Sequence, residues 1–266
     1  MIKPAFQLTV LGCRGSMAVS RDDFTLFGGD TSCYMVQAED ETIFLDAGTG
    51  ICAAPATFPK APVILLSHLH LDHVMGMGMY PGRPPAGEKT RLFVPFCRDG
   101  EEAQALFSRV FTPPFWPVPL DECLGGAELL PVPSTMEIGP VTVDSMPGNH
   151  PGGSLIYRLG CRGKTIICAT DYEHGEPSFS ELVAFSRDAD LILYDAQFDE
   201  AEYEAKKGYG HSTPEKGLEL LERSGAKRLL LTHHNLHSSD SCLLAREEKL
   251  AGTNASYARQ GQVIRL

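Results

Sequence analysis

The stretch Ser67-His68-Leu69-His70-Leu71-Asp72-His73 places four side chains able to bind metal within six residues, directly after the apolar run Val63-Ile64-Leu65-Leu66. At the end of a strand, residues i and i+2 share a face, so His68 and His70 can converge on one ion. Asp72 and His73 then fall in the turn or first helical turn beyond the strand. Adjacent side chains diverge there and can serve a second ion about 3.5–4 Å from the first. A His-rich loop without a ligand role is the alternative, and the later His and Asp residues argue against it.

Three of those later residues sit just after or at the end of a strand-like run. His150 lies between Met146-Pro147-Gly148-Asn149 and Pro151-Gly152-Gly153-Ser154, a loop position that frees it to act as a third ligand beside His68 and His70. Asp171 terminates Cys168-Ala169-Thr170, where a carboxylate would be costly unless paired or metal-bound. His233 closes the last strand-like run, Arg228 to Leu231 plus Thr232. Its neighbours His234 and His237 read as plain surface residues.

The pattern His68-x-His70-x-Asp72-His73 resembles the signature of the metallo-β-lactamase superfamily. Upstream, Ile43-Phe44-Leu45-Asp46-Ala47-Gly48-Thr49-Gly50 resembles that superfamily's strand-then-Asp-Gly turn, and the similarity runs from Leu8-Thr9-Val10-Leu11-Gly12 to the C-terminus. The resemblance implies that His68, His70 and His150 hold one ion, that Asp72, His73 and His233 hold the other, and that Asp171 bridges both. Asp46 is read as the acceptor of an N–H from a ligand His. Asp72 counts among the groups needed for turnover as well as for metal. Zinc suits this His-rich set best, while carboxylate bridging also accommodates manganese or iron. Two divalent ions, set against the carboxylates of Asp72 and Asp171 and a bridging hydroxide, leave a net charge of about +1, which favours an anionic substrate.

Two further segments, Leu193-Tyr194-Asp195-Ala196-Gln197-Phe198 and Tyr209-Gly210-His211-Ser212-Thr213, resemble the acidic-Ala-x-Phe and Gly-His-Ser-Thr segments of ribonuclease Z-like phosphodiesterases. Carried over, His211 would stabilise the oxyanion or protonate the leaving oxygen, with Asp195 fixing its tautomer. The plainer alternative is a helix-entry His that bonds its loop. The chain departs from ribonuclease Z in lacking a Gly- and Lys-rich arm and in being strongly acidic. A small or cyclic nucleotide-type phosphodiester, cleaved by a metal-bridging hydroxide, is the expected substrate. A thioester or lactone hydrolase is the first rival, and a non-catalytic binding or regulatory module the second. A di-iron oxygen- or nitric-oxide-reducing protein is disfavoured, because such relatives place Glu where His70 stands here.

The elements that must position these residues are short strands at first: Phe6 to Leu11, Ser32 to Gln37, Thr42 to Leu45 and Val63 to Leu66. Gly28-Gly29-Asp30-Thr31-Ser32 between the first two reads as a simple turn more than as a phosphate cradle. The stretch from Gly76 to Pro147 is rich in Pro and Gly, with one helix near Gly100 to Val110 whose Ala103, Leu106, Phe107 and Val110 share a face. The Phe111–Pro119 run cannot be a central strand or helix. It is either a lid, with Phe115 or Trp116 lining a pocket, or a loop anchored on the core. From Val141 strands return (Val141 to Val143, Leu155 to Leu159, Thr165 to Cys168, Leu191 to Tyr194) and alternate with helices at Ser178 to Ser186, Pro214 to Ser224 and Asp240 to Leu250. A closing segment spans Gln262 to Leu266.

This order suits two sheets face to face with helices outside, an α+β class. It agrees with the αββα four-layer sandwich of two mixed β-sheets that the resemblance implies. The candidate ligands run from His68 to His233, so residues 1–266 are expected to form a single hydrolase domain. A formal charge of −11 and a pI near 5.3 argue against long nucleic acid as a partner and for a small anionic molecule. A homodimer is compatible with the chain. The eight cysteines include no Cys-x-x-Cys pair, no apolar run approaches the 18 residues needed to span a membrane, and residues 1–6 carry no signal-peptide pattern. A cytoplasmic location without membrane attachment is the expectation.

Overall fold

The computed structural model describes residues 6–266; residues 1–5, which carried most of the reading of the N-terminus, lie outside the described residues. Two seven-stranded sheets form its centre. The first is built from β1 (Gln7–Gly12), β2 (Cys33–Ala38), β3 (Glu41–Leu45), β4 (Val63–Leu65), β5 (Thr90–Val94) and β6 (Ala127–Pro131). The second takes β7 (Thr135–Ile138), β8 (Val141–Gly148), β9 (Ser154–Cys161), β10 (Lys164–Ala169), β11 (Leu191–Asp195), β12 (Leu229–Thr232) and β13 (Ala255–Tyr257). The last strand, β14 (Val263–Arg265), returns to the first sheet and pairs with β1. The helices are α1 (Leu71–Val74), α2 (Gly100–Phe107), α3 (Leu120–Cys123), α4 (Ser178–Phe185), α5 (Glu200–Tyr203), α6 (Pro214–Ser224) and α7 (Asp240–Glu248).

Each sheet changes character along its width. In the first, β14, β1, β2 and β3 pair antiparallel, and β3 to β6 continue in parallel. In the second, β7 to β10 are antiparallel and β10 to β13 parallel. Parallel strands need a crossover between them, and those crossovers supply the outer helices.

Alternation within strands divides the apolar residues among three cores. Ile43, Leu45, Val63, Leu65, Leu191 and Leu193 face the space between the sheets with Leu8, Val143 and Ile166. Phe44, Ile64, Leu92 and Val94 point outward and are covered by Ala103, Phe107 and Leu120. Ile167, Ile192, Tyr194 and Leu231 point outward from the second sheet onto Phe179, Leu182, Leu220 and Leu243. Strands buried on both faces explain the unbroken apolar runs. A fully buried Leu, Ile or Val contributes about 1.5–3 kcal/mol, so this layering carries much of the stability. The result is the αββα sandwich.

The Gly76 to Pro147 stretch differs from its reading. It contains β5, β6, β7 and α3 besides α2, so four elements were hidden by its Pro and Gly content. The strands there are short, and Pro131 closes β6 at the sheet edge, where a missing N–H is tolerated. The Phe111–Pro119 run is a packed loop: Phe111 is buried, Trp116 meets it edge-on at 5.8 Å, and Phe115 projects into solvent at 75% exposure. Trp116 also lies over Gly78, where an added Cβ would stand 2.2 Å from the indole.

Candidate metal centre

All the candidate ligands emerge at one edge of the sandwich, because the parallel strands of both sheets end there. His68 follows β4, and His70 is the residue just before α1, whose first turn carries Asp72 and His73. Asp171 follows β10, His233 follows β12, and His150 lies between β8 and β9. Asp46 and His233, directly after β3 and β12, and Asp171, separated from the end of β10 by Thr170, each turn through positive φ (59°, 59° and 54°).

Two sets of four potential ligand atoms result, the atoms of each set within 4.8 Å of one another: His68, His70, His150 and Asp171, and then Asp72, His73, Asp171 and His233. Asp171 divides its two oxygens between them. Oδ1 lies 3.7 Å from His68 Nε2 and 3.7 Å from His150 Nε2, while Oδ2 lies 2.9 Å from His73 Nε2 and 3.3 Å from His233 Nε2. Asp72 Oδ2 closes the second set at 3.4 Å from His73 Nε2 and 3.3 Å from His233 Nε2.

Acceptors behind the rings fix which nitrogen faces inward. His73 Nδ1 donates to Asp46 Oδ2 at 2.8 Å, His150 Nδ1 to the Gly210 carbonyl at 2.8 Å, and His233 Nδ1 to Gln197 Oε1 at 3.1 Å. His68 Nδ1 lies 3.0 Å from Ser67 Oγ, whose hydroxyl donates to Asp46 Oδ2. In its neutral form each of these four imidazoles therefore carries its proton on Nδ1 and turns the Nε2 lone pair to the centre, as a metal ligand requires. His68 Nε2, His73 Nε2 and Asp171 Oδ2 are buried and make no hydrogen bond. Unpartnered polar atoms in a dry site are costly, and ions coordinated there would satisfy them. The donor set of imidazoles and carboxylates fits zinc, manganese or iron.

Electrostatics agree. Burial disfavours the His73 cation, but the charges of Asp171, Asp46 and Asp72 outweigh it and hold its pKa well above the usual imidazole range. The same balance, with Asp171 first among the carboxylates, lifts His233 to about 9. Burial would raise Asp171, yet His233, His73 and His68 hold it well below the ordinary carboxylate range. The centre favours positive charge, and an ion held by these residues would displace protons from the imidazoles.

A third group, Asp171, Asp195, His211 and His233, also lies close together. Here Asp195 is taken up by protein donors: Oδ2 accepts from the Asp171 N–H at 3.0 Å and from His211 Nδ1 at 2.8 Å, and Oδ1 from the N–H groups of Gln197 and Ser212. That arrangement orients His211, whose ring stands 4.8 Å from that of His233 and 5.3 Å from that of His150.

Sequence reasoning passed over several supports. Gln197 lay inside a segment that drew attention for its neighbours, and Ser67 immediately precedes the ligand run, yet neither residue type signals its role. Ser16 donates its backbone N–H to Asp72 Oδ2 at 2.7 Å from a loop 56 residues away in sequence. Glu173 accepts from the N–H groups of Gly208 and Gly210 and from the Tyr203 hydroxyl, which clamps the loop before His211. Gly210 must be glycine, since its φ is 89° and a Cβ would stand 2.2 Å from His150 Nδ1. His234 corrects its surface reading: it is fully buried, donates Nε2–H to the Ala258 carbonyl at 2.8 Å, and packs on Phe27 and Tyr257. His237 is exposed. Among the described residues no helix is long and apolar enough to cross a membrane.

The protein named "Probable metallo-hydrolase YhfI" from Bacillus subtilis (strain 168) is 25% identical over 240 residues, covering 85% of this chain and 86% of that one. "Ribonuclease BN" of Cronobacter sakazakii (strain ATCC BAA-894) is 25% identical over 252 residues, 74% of this chain and 80% of its own. In structure, the metallo-beta-lactamase fold protein YhfI from Bacillus subtilis superposes with a TM-score of 0.74 at 19% identity over 98% of this chain and 99% of its own. A diphosphatase from the PhnP family superposes at 0.72, also with 19% identity, over 98% of both chains. The family model for the beta-lactamase superfamily domain matches residues 41–234, a span that begins before Asp46 and ends after His233. On that match, this chain belongs to the metallo-β-lactamase superfamily.

Proposed function

We propose that the protein is a dinuclear metal-dependent hydrolase acting on a small phosphodiester. The observation that carries the reading is the division of Asp171, with Oδ1 among His68, His70 and His150 and Oδ2 among Asp72, His73 and His233. In this reading those seven residues hold two divalent ions, zinc first by donor type. Such ions supply Lewis acidity toward a phosphoryl oxygen and make water acidic enough to ionise near neutral pH.

The chain's own residues do the rest. His73 and His233, backed by Asp46 and Gln197, keep their Nε2 lone pairs turned inward. His211 has Nδ1 tied to Asp195, which leaves Nε2 to give a proton to the leaving oxygen, while the Asp195 carboxylate stabilises the imidazolium beforehand. Proton donation to an alkoxide favours a phosphodiester over a thioester, whose thiolate leaves without help. The net charge of −11 supports a small anionic substrate steered by a local positive centre over a long RNA.

Metal analysis of protein purified without added metal, followed by a panel of aryl phosphodiester, cyclic nucleotide, thioester, lactone and transfer-RNA precursor substrates, tests this. About two ions per chain and metal-dependent phosphodiester cleavage are expected. Robust thioester or lactone turnover without phosphodiesterase activity would overturn the substrate class. Less than one ion per zinc-loaded chain would overturn the dinuclear reading.

A further inference from the structure

Five non-glycine residues around the site have positive φ: Ser16, Asp46, Phe96, Asp171 and His233. Four have a reason in the basin, since Ser16 presents its N–H to Asp72 and the other three place a polar side chain there. Phe96, at φ 58°, offers no ligand and no hydrogen-bonding side chain. A bulky aromatic residue is among the costliest to hold in this conformation, and Phe96 is 58% exposed.

The position of Phe96 follows from strand order. It lies just past β5, whose parallel pairing with β4 brings its C-terminal end beside the point where His68 and His70 emerge. Its ring rests over Gly153, where an added Cβ would stand 3.0 Å from Phe96 Cζ, and Gly153 itself has φ 86°. Between them opens a cleft of about 290 Å³ with His68 and His70 at one side and Leu69, Pro95, Phe96, Leu106 and Pro151 along the rest. None of its lining residues is Lys, Arg, Asp or Glu. A group held in this cleft is therefore joined to an anion at the metal ligands yet is itself uncharged and satisfied by flat apolar contact.

We propose that Phe96 is a specificity residue, whose ring stacks on a planar, uncharged aromatic group carried by the substrate next to its phosphate. The proposal rests on the phosphodiesterase reading and narrows it to nucleotide or aryl esters. Stacking on a phenyl face tolerates any base, because each presents a π-face, and the left-handed backbone of Phe96 is what holds the ring out of the core.

The test is calorimetric titration of the zinc-loaded protein with adenosine 5′-monophosphate, phenyl phosphate and ribose 5-phosphate, which share a phosphate and differ in the ring. Adenosine monophosphate is expected to bind about tenfold more tightly than ribose 5-phosphate. Phenyl phosphate sharing that gain assigns an aryl subsite, and adenosine monophosphate alone showing it assigns a nucleobase subsite. Phe96→Asn, a residue that accepts left-handed backbone, should erase the gain while leaving ribose 5-phosphate affinity and zinc content unchanged. Phe96→Trp should retain it. No preference in the wild type, no binding of any of the three, or a preference that survives Phe96→Asn would overturn the proposal. Hydrolysis of bis(4-nitrophenyl) phosphate by the wild type separates the two readings: its absence counts against the phosphodiesterase reading, whereas hydrolysis without any ring preference in the wild type, or with a preference that survives Phe96→Asn, counts against Phe96 alone.

Discussion

The two sides of the metal basin are built differently. On one, His73 and His233 are fully buried, Asp46 and Gln197 stand behind their rings, and the Ser16 N–H caps Asp72. The fully buried Arg14 ties that side together by donating to the carbonyls of Gly28, Asn235 and Ser238, which anchors the turn after His233. On the other side, His70 is exposed and the cleft at Phe96 opens beside it. His68 reaches Asp46 only through the Ser67 hydroxyl. The closed side supplies rigidity and charge, and the open side supplies access. A site that must bind ions firmly and still exchange substrate gains from keeping these tasks apart.

Asp171 belongs to both sides, so its removal gives the largest effect. Asp171→Ala should take metal content from about two ions toward none by elemental analysis and abolish hydrolysis. A variant that keeps one tightly held ion would show that the two sides do not depend on a shared carboxylate. Next comes His211, which borders both. His211→Ala should lower turnover by about 10²–10⁴-fold with metal content unchanged. Its loss should be smaller for a 4-nitrophenoxide leaving group, which departs unprotonated, than for an alkoxide. Equal losses across leaving groups would leave oxyanion stabilisation as its role, and a lost ion would make it a ligand.

The asymmetry itself is tested at Asp46. Asp46→Asn keeps a residue that tolerates positive φ but removes the charge behind His73, and should weaken the ion proposed at Asp72, His73 and His233 by about 10–100-fold in chelator competition. The ion at His68, His70 and His150 should lose less, because only the Ser67 hydroxyl connects it to Asp46. Ser67→Ala should reverse that order with a smaller overall loss. Equal weakening of both ions in both variants would erase the distinction between the sides.

The smallest effect lies behind the closed side. Burial, then the charge of Arg14, pulls His234 from its ordinary 6.5 down to about 3, whereas adjacent His233 is lifted to about 9 among carboxylates. The two therefore act in opposite directions in protein stripped of metal. The contribution of His233 is full below pH 6.5 and is lost as pH rises through about 9. That of His234 is full above pH 6.5 and is lost as pH falls toward 3. His234→Gln should flatten the fall in melting temperature between pH 6.5 and 4.5 by roughly a few degrees. An acid flank identical to that of the wild type would mean that His234 is solvated when folded.

Much of this protein is readable along the chain. His68, His70, Asp72 and His73 announce their chemistry because strand-end geometry converts a two-residue spacing into a shared face, and α6 begins at Pro214 because a Thr-Pro entry satisfies a helix start locally. The strands β10, β11 and β12 were legible because they are buried on both faces and so form apolar runs. Elements such as β5, β6 and β7 were not, since short strands gain their stability from neighbours far away in sequence and leave little local pattern.

What the sequence determined by itself was therefore the set of residue types and the periodicities that place them at the ends of strands. What tertiary structure decided was which of them meet, with what behind each ring, and which side of the basin is open. Gln197 behind His233, Ser16 on Asp72, Glu173 on the Gly208–Gly210 turn and the ring of Phe96 over Gly153 are all contacts between distant segments. The physical reason is that a hydrogen bond or a ring contact is a relation between two positions in space, fixed only when both sheets have packed.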